Sequence, residues 1–327
     1  MNTSPPGRPR RPLPLALFVG MRPRKWSKNA FVFAALLLTK QLGRPGQLAA
    51  TVATVAIFCA ISSAVYLLND IVDIESDRRH PEKRRRPLAS GELGVGVARL
   101  AAAGLAVGGL AAAVLLVVAR PCGAGHGLAD GRACTSPMLV AAVVGYLVLQ
   151  LAYTFALKHV VIVEVLAIAG GFVLRVLAGG AAIDTRISPY LYLSMIFLAL
   201  FQGFAKRQHE LRVLADSAAD HRPSLEEYSM RLLDTYIVIA ATSTIVTYAL
   251  YAITTPDRPP GVSENMLLIT VPFVIYAIFR YLYLVQVRGV GGAPEDILLR
   301  DRPLLLDVVG WVLALIVILY VVPLWSA

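Results

Sequence analysis

The residues of this chain that could do chemistry gather in the stretch 66–91, directly after an apolar run that covers 48–68. Asn69, Asp73 and Asp77 recur there at every fourth position, so on a continuing helix their oxygens form one column. Carboxylates four residues apart on a bare helix repel each other by roughly 0.2–0.5 kcal/mol per pair, so the column needs a counter-charge. Because Mg²⁺ prefers a few oxygen ligands and keeps positions open for water and phosphate oxygens, the column predicts a magnesium site.

Two more polar residues, Tyr66 and Asp70, lie close to the same stripe. Six residues beyond Asp77 a run of four cations begins at Lys83, and such groups suit anionic oxygens. A metal site beside a basic cluster predicts a clamp for a phosphorylated substrate. The alternative is a solvated, charged loop between two helices, which would need no ligand.

The composition places this stretch in a membrane. Of the 327 residues, 57% are hydrophobic and only 16% are charged, and the mean hydropathy is +0.65. Eight or nine apolar stretches approach the roughly 20 residues that cross a bilayer core, and we expect an all-α, polytopic membrane protein with nine transmembrane helices. The predicted spans are 29–42, 48–68, 93–119, 138–157, 160–182, 189–205, 232–254, 265–285 and 303–323.

The net charge of +10 is carried by the loops. Most of the 31 Lys and Arg residues fall before the first span or after the second, fourth, sixth and eighth spans, as the positive-inside rule expects of cytoplasmic segments. We therefore expect a plasma-membrane protein whose N-terminus and chemistry-bearing loops face the cytoplasm. Cations distributed in this way argue against a nucleic-acid partner.

The N-terminal tail and the cysteines complete the outline. Residues 1–14 are rich in Pro and Arg and are expected to be a disordered tail, which leaves 15–327 as a single transmembrane catalytic domain. Cys122 and Cys134 lie in an outer loop on the oxidising side of the membrane, where disulfides persist. The sequence leaves open whether the two cysteines are bridged.

Two ionisable residues, Glu164 and Arg175, fall inside the predicted fifth span. Charged side chains are costly there and face a polar cavity or a partner. Eleven residues is close to three helical turns, so the two share nearly the same face. They either line a site or form a structural salt bridge to another helix. After the sixth span, Asp216 and Asp220 are expected to be solvated rather than metal-bound.

The motif N-D-x-x-D-x-x-x-D at 69–77 resembles the first Asp-rich motif of the UbiA-type intramembrane prenyltransferase superfamily. The resemblance covers nearly the whole chain and includes a nine-helix layout. Members normally carry a second Asp-rich motif near the end of the sixth span, for a second Mg²⁺ on a prenyl diphosphate. Here Lys206, Arg207 and Glu210 take that place. The exchange favours direct binding of a phosphate and argues against an ordinary aromatic prenyltransferase.

Within the superfamily, the chain is similar to the branch that transfers a phosphoribosyl group to decaprenyl phosphate for cell-wall arabinogalactan. The resemblance implies a Mg²⁺-dependent pentosyltransferase that turns phosphoribosyl pyrophosphate (PRPP) and decaprenyl phosphate into decaprenylphosphoryl-5-phosphoribose and pyrophosphate. The outer loop 120–137 looks like an insertion relative to that branch. The similar segments are M-R-P-R-K-W-S-K-N at 21–29, the 29 residues 63–91, L-A-Y-T-F-A-L-K-H at 151–159, A-K-R-x-x-E-L at 205–211 and P-E-D-I-L-L-R-D-R at 294–302.

The resemblance also assigns roles to residues. Mg²⁺ would neutralise the departing diphosphate as a Lewis acid, on a set of ligands consisting of Asn69, Asp73 and Asp77. The catalytic candidates are Asn69, Asp70, Asp73 and Asp77. The candidates for substrate binding are Lys28, Tyr66, Lys83, Lys158, Arg175, Lys206 and Arg207. Lys28 and Lys83 could hold the diphosphate or the 5-phosphate, Tyr66 the ribose or a phosphate, and the other four cations the lipid phosphate or the 5-phosphate. An interfacial anchor is the alternative for Lys28.

Three other functions stay open on the sequence alone. A prenyltransferase that joins a prenyl diphosphate to a small acceptor would share the fold, but its second Asp-rich motif is missing. A cation or phosphate transporter would place broken helices and ligands at the membrane midplane rather than at one face. A purely structural membrane protein would leave the oxygen column unexplained. Prenyl chain length and oligomeric state, a homo-oligomer included, also stay open.

Overall fold

The computed structural model describes residues 11–79, 83–122, 134–213, 227–254, 266–289 and 294–325. Within these ranges the chain consists of α-helices joined by short 3₁₀ segments. The helices are α1 (Leu13–Gly20), α2 (Phe33–Leu38), α3 (Pro45–Val72), α4 (Ile74–Arg79), α5 (Val95–Ala119), α6 (Met138–Phe155), α7 (Val163–Ala182), α8 (Pro189–Val213), α9 (Met230–Thr254), α10 (Val271–Gln286), α11 (Pro294–Arg300), α12 (Arg302–Ile316) and α13 (Val322–Trp325). The 3₁₀ segments are Pro23–Val32, Lys83–Arg85, Leu157–His159 and Met266–Thr270, and a π-helical segment, Val317–Val321, follows α12.

The all-helical prediction is confirmed, and in the described part of the chain seven helical stretches are long and apolar enough to cross a membrane. They correspond to the predicted second to fifth and seventh to ninth spans. The sixth predicted span is also a helix, α8, but it continues to Val213 and thereby carries Lys206, Arg207 and Glu210. Its tyrosines, glutamines and cations dilute its hydropathy. Asp216 and Asp220 lie outside the described residues.

The first predicted span, 29–42, is not one continuous helix. Residues Pro23–Val32 form a ten-residue 3₁₀ helix, and the six-residue α2 follows. Runs of 3₁₀ helix longer than three or four residues are uncommon, because their hydrogen-bond geometry is poorer than that of an α-helix. The hydropathy of this stretch indicates how many apolar residues it contains, but not whether they form an α-helix or a 3₁₀ helix. We call Pro23–Val32 the 3₁₀ segment.

Helices α3 and α7 form the centre of the bundle. Of their most apolar stretches, 56% and 67% are buried, against 11% for α5. Helix α7 contacts α2, α3, α6, α8 and the 3₁₀ segment. A Cβ atom at Gly179 would lie 2.2 Å from the carbonyl oxygen of Val32, so glycine is what allows the 3₁₀ segment to approach α7 this closely.

One end of the bundle, which we call the site end, collects the polar loops. Lys158, between α6 and α7, contacts Asp73 after α3, and Arg212 of α8 donates to the carbonyl oxygen of Val285 on α10 at 2.9 Å. Arg207 of α8 and Glu164 at the start of α7 lie 3.0 Å apart and join these two pairs. The segments after the second, fourth, sixth and eighth predicted spans therefore meet at the same end, as the sequence predicts.

The opposite end carries a disulfide between Cys122 and Cys134, which resolves the alternative left open by the sequence. The bridge joins the segments that follow α5 and precede α6. Next to it, Arg120 donates to the side-chain oxygen of Gln47 at 3.2 Å. The N–H of Thr135 donates to the carbonyl oxygen of Arg120 at 2.7 Å. The bridge and these hydrogen bonds tie α3, α5 and α6 together at this end.

Replacing Cys122 and Cys134 together with serine is expected to destabilise the protein. The cysteines are 12 residues apart, and closing a loop of about that size contributes roughly 3 kcal/mol in the chain-entropy account. The midpoint of thermal unfolding in detergent measures the loss, with Cys59→Ser, an unbridged cysteine, as the matched control. Equal midpoints for the double variant and the wild type would contradict this expectation.

Candidate functional site

The predicted oxygen column is present, although two helices share it. Helix α3 ends at Val72 and α4 begins at Ile74, yet hydrogen bonds four residues apart continue across the break. The N–H of Asp73 donates to the carbonyl oxygen of Asn69 at 2.9 Å, and the N–H of Asp77 donates to that of Asp73 at 2.8 Å. The three residues therefore keep helical register.

The side chains of the oxygen column and of the neighbouring Asp70 differ in their access to ligands. Asn69 and Asp73 are half-buried, and 33% of the Asp73 side chain is exposed. Asp70 and Asp77 are only 2% exposed. Asn69 and Asp73 are thus the accessible members, and the two buried carboxylates lie beneath them.

Two arginines supply counter-charge to the buried carboxylates. Nη1 of Arg86 lies 2.5 Å from Oδ2 of Asp77 and 3.2 Å from Oδ1 of Asp70. Arg22, which precedes the 3₁₀ segment, pairs with the same oxygen of Asp70. The repulsion within the column is therefore offset by the protein itself, and repulsion alone no longer argues for a metal ion. Asp70 occupies the position of an anchor for two arginines.

Lys158 reaches the column from a strained connection between α6 and α7. Its ammonium group donates to Oδ1 of Asp73 at 2.8 Å. Ile162, four residues later, has φ +66°, which is a rare conformation for a β-branched residue. The N–H of Ile162 donates to the Tyr228 hydroxyl at 2.8 Å, and burial raises the pKa of that phenol. A contact from outside the connection thus holds the turn that presents Lys158.

The donor set of the column suits a hard divalent cation, because it combines an amide oxygen with carboxylates. Among the described residues, the carboxylates of Asp70, Asp73 and Asp77 do not all converge to within 4.8 Å of one another. Asn69 and the partly exposed Asp73 could take an ion with the least rearrangement. Asp77 would have to share its carboxylate with Arg86. The donor types therefore fit Mg²⁺, and Asp73 would have to share its carboxylate between the ion and Lys158.

The two cations in place of a second Asp-rich motif lie in different surroundings. Arg207 is 1% exposed; its Nε lies 3.0 Å from Oε1 of Glu164, and its Nη1 pairs with Glu210. Lys206 is 36% exposed and lies 3.7 Å from Glu210. Arg207 therefore forms a buried ion pair between α7 and α8, whereas Lys206 is accessible to a ligand.

Arg175 lies in the interior of the bundle and is 4% exposed. Each of its three nitrogens donates at 2.8 Å, Nε to Oδ1 of Asn29, Nη1 to the carbonyl oxygen of Gly171 and Nη2 to the Tyr146 hydroxyl. Glu164 stands about 16 Å away along α7, given a rise of 1.5 Å per residue. Glu164 thus forms a salt bridge to another helix, which is one of the two alternatives from the sequence, while these three acceptors of Arg175 are neutral.

Some residues at the site were not singled out from the sequence. The guanidinium of Arg22 lies 5.2 Å from the centre of the Tyr66 ring, and Nζ of Lys25 lies 5.7 Å from it. Arg86 bridges two carboxylates, whereas Lys83, the predicted ligand of that run, is half-buried at the start of a 3₁₀ turn. The spacing of three between Arg22, Lys25 and the half-buried Lys28 was the available signal, since it matches the period of a 3₁₀ helix.

Comparisons with known proteins agree with this architecture. A model of the UbiA prenyltransferase family matches residues 29–290. The chain is 34% identical to the decaprenyl-phosphate phosphoribosyltransferase of Corynebacterium glutamicum over 310 residues, which is 93% of this chain and 87% of that protein. It is 35% identical over 297 residues to the protein of the same name from Mycobacterium tuberculosis H37Rv, which is 89% of this chain and 90% of that protein.

A solved structure shares the fold. The UbiA homolog from Archaeoglobus fulgidus bound to GPP and Mg²⁺ superposes with a TM-score of 0.69 at 16% sequence identity, covering 93% of this chain and 99% of that chain. The likeness extends to the whole bundle, and with seven apolar helices it describes a multi-pass membrane protein. With a family model matched over most of its length, the chain belongs to the UbiA prenyltransferase family.

Proposed function

We propose that this protein transfers the 5-phosphoribosyl group of PRPP to decaprenyl phosphate, in a Mg²⁺-dependent reaction that releases pyrophosphate and supplies a precursor of cell-wall arabinan. The observation that carries the proposal is the set of curated relatives, which are 33–35% identical over most of the chain and share the name decaprenyl-phosphate phosphoribosyltransferase. The site supports it, because the accessible Lys206 stands where a second carboxylate motif is expected.

The chemistry requires positioned charges rather than a general base. A phosphate oxygen of the lipid, already ionised at neutral pH, forms a bond to ribose C1 while the bond from C1 to the pyrophosphate oxygen breaks. No proton moves in this exchange. The barrier lies in the departure of pyrophosphate and in the positive charge that develops at C1. Preorganised electrostatics and orientation therefore supply most of the catalysis.

Residues of the site end divide this work. Bound Mg²⁺ would supply Lewis-acid neutralisation of the pyrophosphate, with Asn69, Asp73 and Asp77 as its ligands. Structures of UbiA homologs that contain Mg²⁺ support the choice of metal. Lys158, beside Asp73, would orient an anionic oxygen next to the metal site. Lys206, which is accessible on α8, would contact a second phosphate group.

We further propose nine membrane-crossing segments, a cytoplasmic N-terminus and a site end that faces the cytoplasm across the plasma membrane. The basic loops support this orientation. Water cannot solvate a tail of about fifty carbons, since burying each CH₂ is worth roughly 0.8 kcal/mol. The tail therefore stays in the bilayer, and the lipid enters through a side opening between helices. Residues 15–327 would form one catalytic domain.

A transfer assay tests the function directly. Purified protein in detergent is given radiolabelled PRPP and decaprenyl phosphate with and without Mg²⁺, and label is expected in the organic phase only with Mg²⁺. Transfer from a prenyl diphosphate to a small acceptor, with none from PRPP, would instead support the alternative function within the same family.

Asp73→Asn is expected to abolish turnover and to leave the thermal unfolding midpoint close to that of the wild type. The substitution removes the charged oxygen ligand of the proposed metal site, and the amide oxygen of Asn can still accept a hydrogen bond from Lys158, whose side chain is 15% exposed. Glu75→Gln is the matched control, because the Glu75 side chain is 78% exposed. Normal turnover by the Asp73 variant would rule out its role at the metal.

The stereochemistry of the product tests the geometry of attack. In-line attack from the face opposite the departing pyrophosphate inverts C1, so the phosphoribosyl lipid is expected to be β-linked. The coupling of the anomeric proton in the NMR spectrum of the product distinguishes the two anomers. An α-linked product would rule out a single inverting displacement.

Lys206→Gln is expected to change substrate binding, whereas Arg207→Gln is expected to lower the stability of the fold. Removing Arg207 leaves the fully buried Glu164 unpaired, which costs on the order of 3 kcal/mol of stability. Removing Lys206 is expected to raise the KM of one anionic substrate with little effect on the unfolding midpoint. Thermal unfolding and steady-state kinetics on both variants check this, and a wild-type midpoint for the Arg207 variant would contradict it.

A further inference from the structure

The 3₁₀ segment brings three cations into line. A 3₁₀ helix has three residues per turn, so side chains at i and i+3 eclipse each other. Lys25 and Lys28 follow this spacing within the segment, whereas an α-helix would turn Lys28 about 60° away from Lys25. Arg22 lies three residues before Lys25, at the N-cap of the segment, with φ +54°. The cations of Arg22 and Lys25 both lie above the Tyr66 ring, at 5.2 and 5.7 Å. We call these three residues the cation column.

A second face of the same segment is buried and fixes the direction of the first. Trp26, Asn29 and Val32 are also spaced by three. The indole N–H of Trp26 donates to Oγ of Ser63 on α3 at 3.1 Å, and Asn29 and Val32 have no exposed surface. Because both faces depend on a period of three, the cation column exists only while the segment keeps its 3₁₀ winding.

Helix α7 holds the segment at two points that match this winding. Nε of Arg175 donates to Oδ1 of Asn29 at 2.8 Å, and Gly179 lies against the Val32 carbonyl. Four residues of an α-helix advance about 6 Å, and three residues of a 3₁₀ helix advance about the same distance. Under α-helical winding, Asn29 and Val32 would be separated by only about 4.5 Å and would no longer meet both points.

The guanidinium group of Arg175 is placed to hold the 3₁₀ segment against α7 rather than to bind a substrate phosphate. It joins Asn29 of the 3₁₀ segment, Tyr146 of α6 and its own helix, and its guanidinium carbon lies 4.6 Å from the centre of the Tyr146 ring. A lysine could not reproduce three donors in fixed directions. Arg175 also lies about 18 Å along α7 from the start of that helix at the site end.

We propose that Arg175 is a positioning residue for the cation column and not a ligand of a substrate phosphate. It holds Asn29, which keeps the 3₁₀ segment in the register that places Arg22 beside Asp70 and Lys25 above the Tyr66 ring on α3, with Lys28 one turn further along the segment. This inference rests on the proposed function in one respect, since it takes the site to bind phosphate groups.

The test uses the full-length protein in detergent and four variants, Arg175→Lys, Asn29→Ala, the two combined, and Tyr146→Phe. Isothermal calorimetry gives the Kd of inorganic pyrophosphate in the presence of Mg²⁺, and steady-state assays give kcat and the KM of PRPP. Both single variants are expected to raise Kd and KM about tenfold, with kcat changed less than threefold, because small misplacements of charged groups weaken binding strongly.

The combined variant is expected to be no worse than the worse single variant, because two residues that act through one hydrogen bond are not additive. Tyr146→Phe removes a different hydrogen bond of the same guanidinium and is expected to change Kd less than twofold. If Arg175→Lys does not fold, the Kd values of Asn29→Ala and Tyr146→Phe still decide whether the contact between Arg175 and Asn29 positions the cations.

Three results would overturn the inference. They are an unchanged Kd in both single variants, additive effects in the combined variant, and a Tyr146→Phe variant as weak as Asn29→Ala. A wild-type protein that binds no pyrophosphate would also overturn it. If the wild type binds pyrophosphate but transfers no phosphoribosyl group, the proposed function fails, and the Kd values still decide the role of Arg175.

Discussion

Carboxylates stacked at the end of a membrane helix persist only if cations stand beside them, and this requirement organises the site end. Asp70 pairs with residues 48 and 16 positions away, Arg22 and Arg86, and Asp73 pairs with Lys158, 85 positions away. None of these contacts can form within α3 alone. The 3₁₀ segment, the loop after α4 and the turn before α7 must therefore all be in place before the column is neutralised.

Helix α7 meets the same requirement deeper in the bundle. It carries two charged residues that a lipid environment disfavours, and each has a partner on another element. Glu164 meets Arg207 of α8, and Arg175 meets Asn29 and Tyr146. Because a misplaced helix would leave one of these groups without its partner, the charges fix how the central helices slide and rotate against each other.

Much of this arrangement follows from the sequence. The period of four in Asn69, Asp73 and Asp77 predicts the column because backbone hydrogen bonds keep that period across a helix break. The length of each apolar run predicts most of the membrane helices, because the hydrogen bonds of a helix also join residues that are close in the sequence. The winding of Pro23–Val32 escapes prediction, since it depends on contacts with α7 rather than on composition. The partners of Arg207 and Asp70 likewise depend on how separate segments meet, which a single sequence does not state.

The arginines around Asp70 and Asp77 separate folding from metal binding. In structural zinc sites the free energy of metal binding is the free energy of folding, and a chelator unfolds the domain. Here the deep carboxylates are neutralised by side chains, so the end of α3 does not depend on a metal ion to offset their charge. An ion bound there as proposed could leave together with the departing anion and be replaced without any refolding of the scaffold.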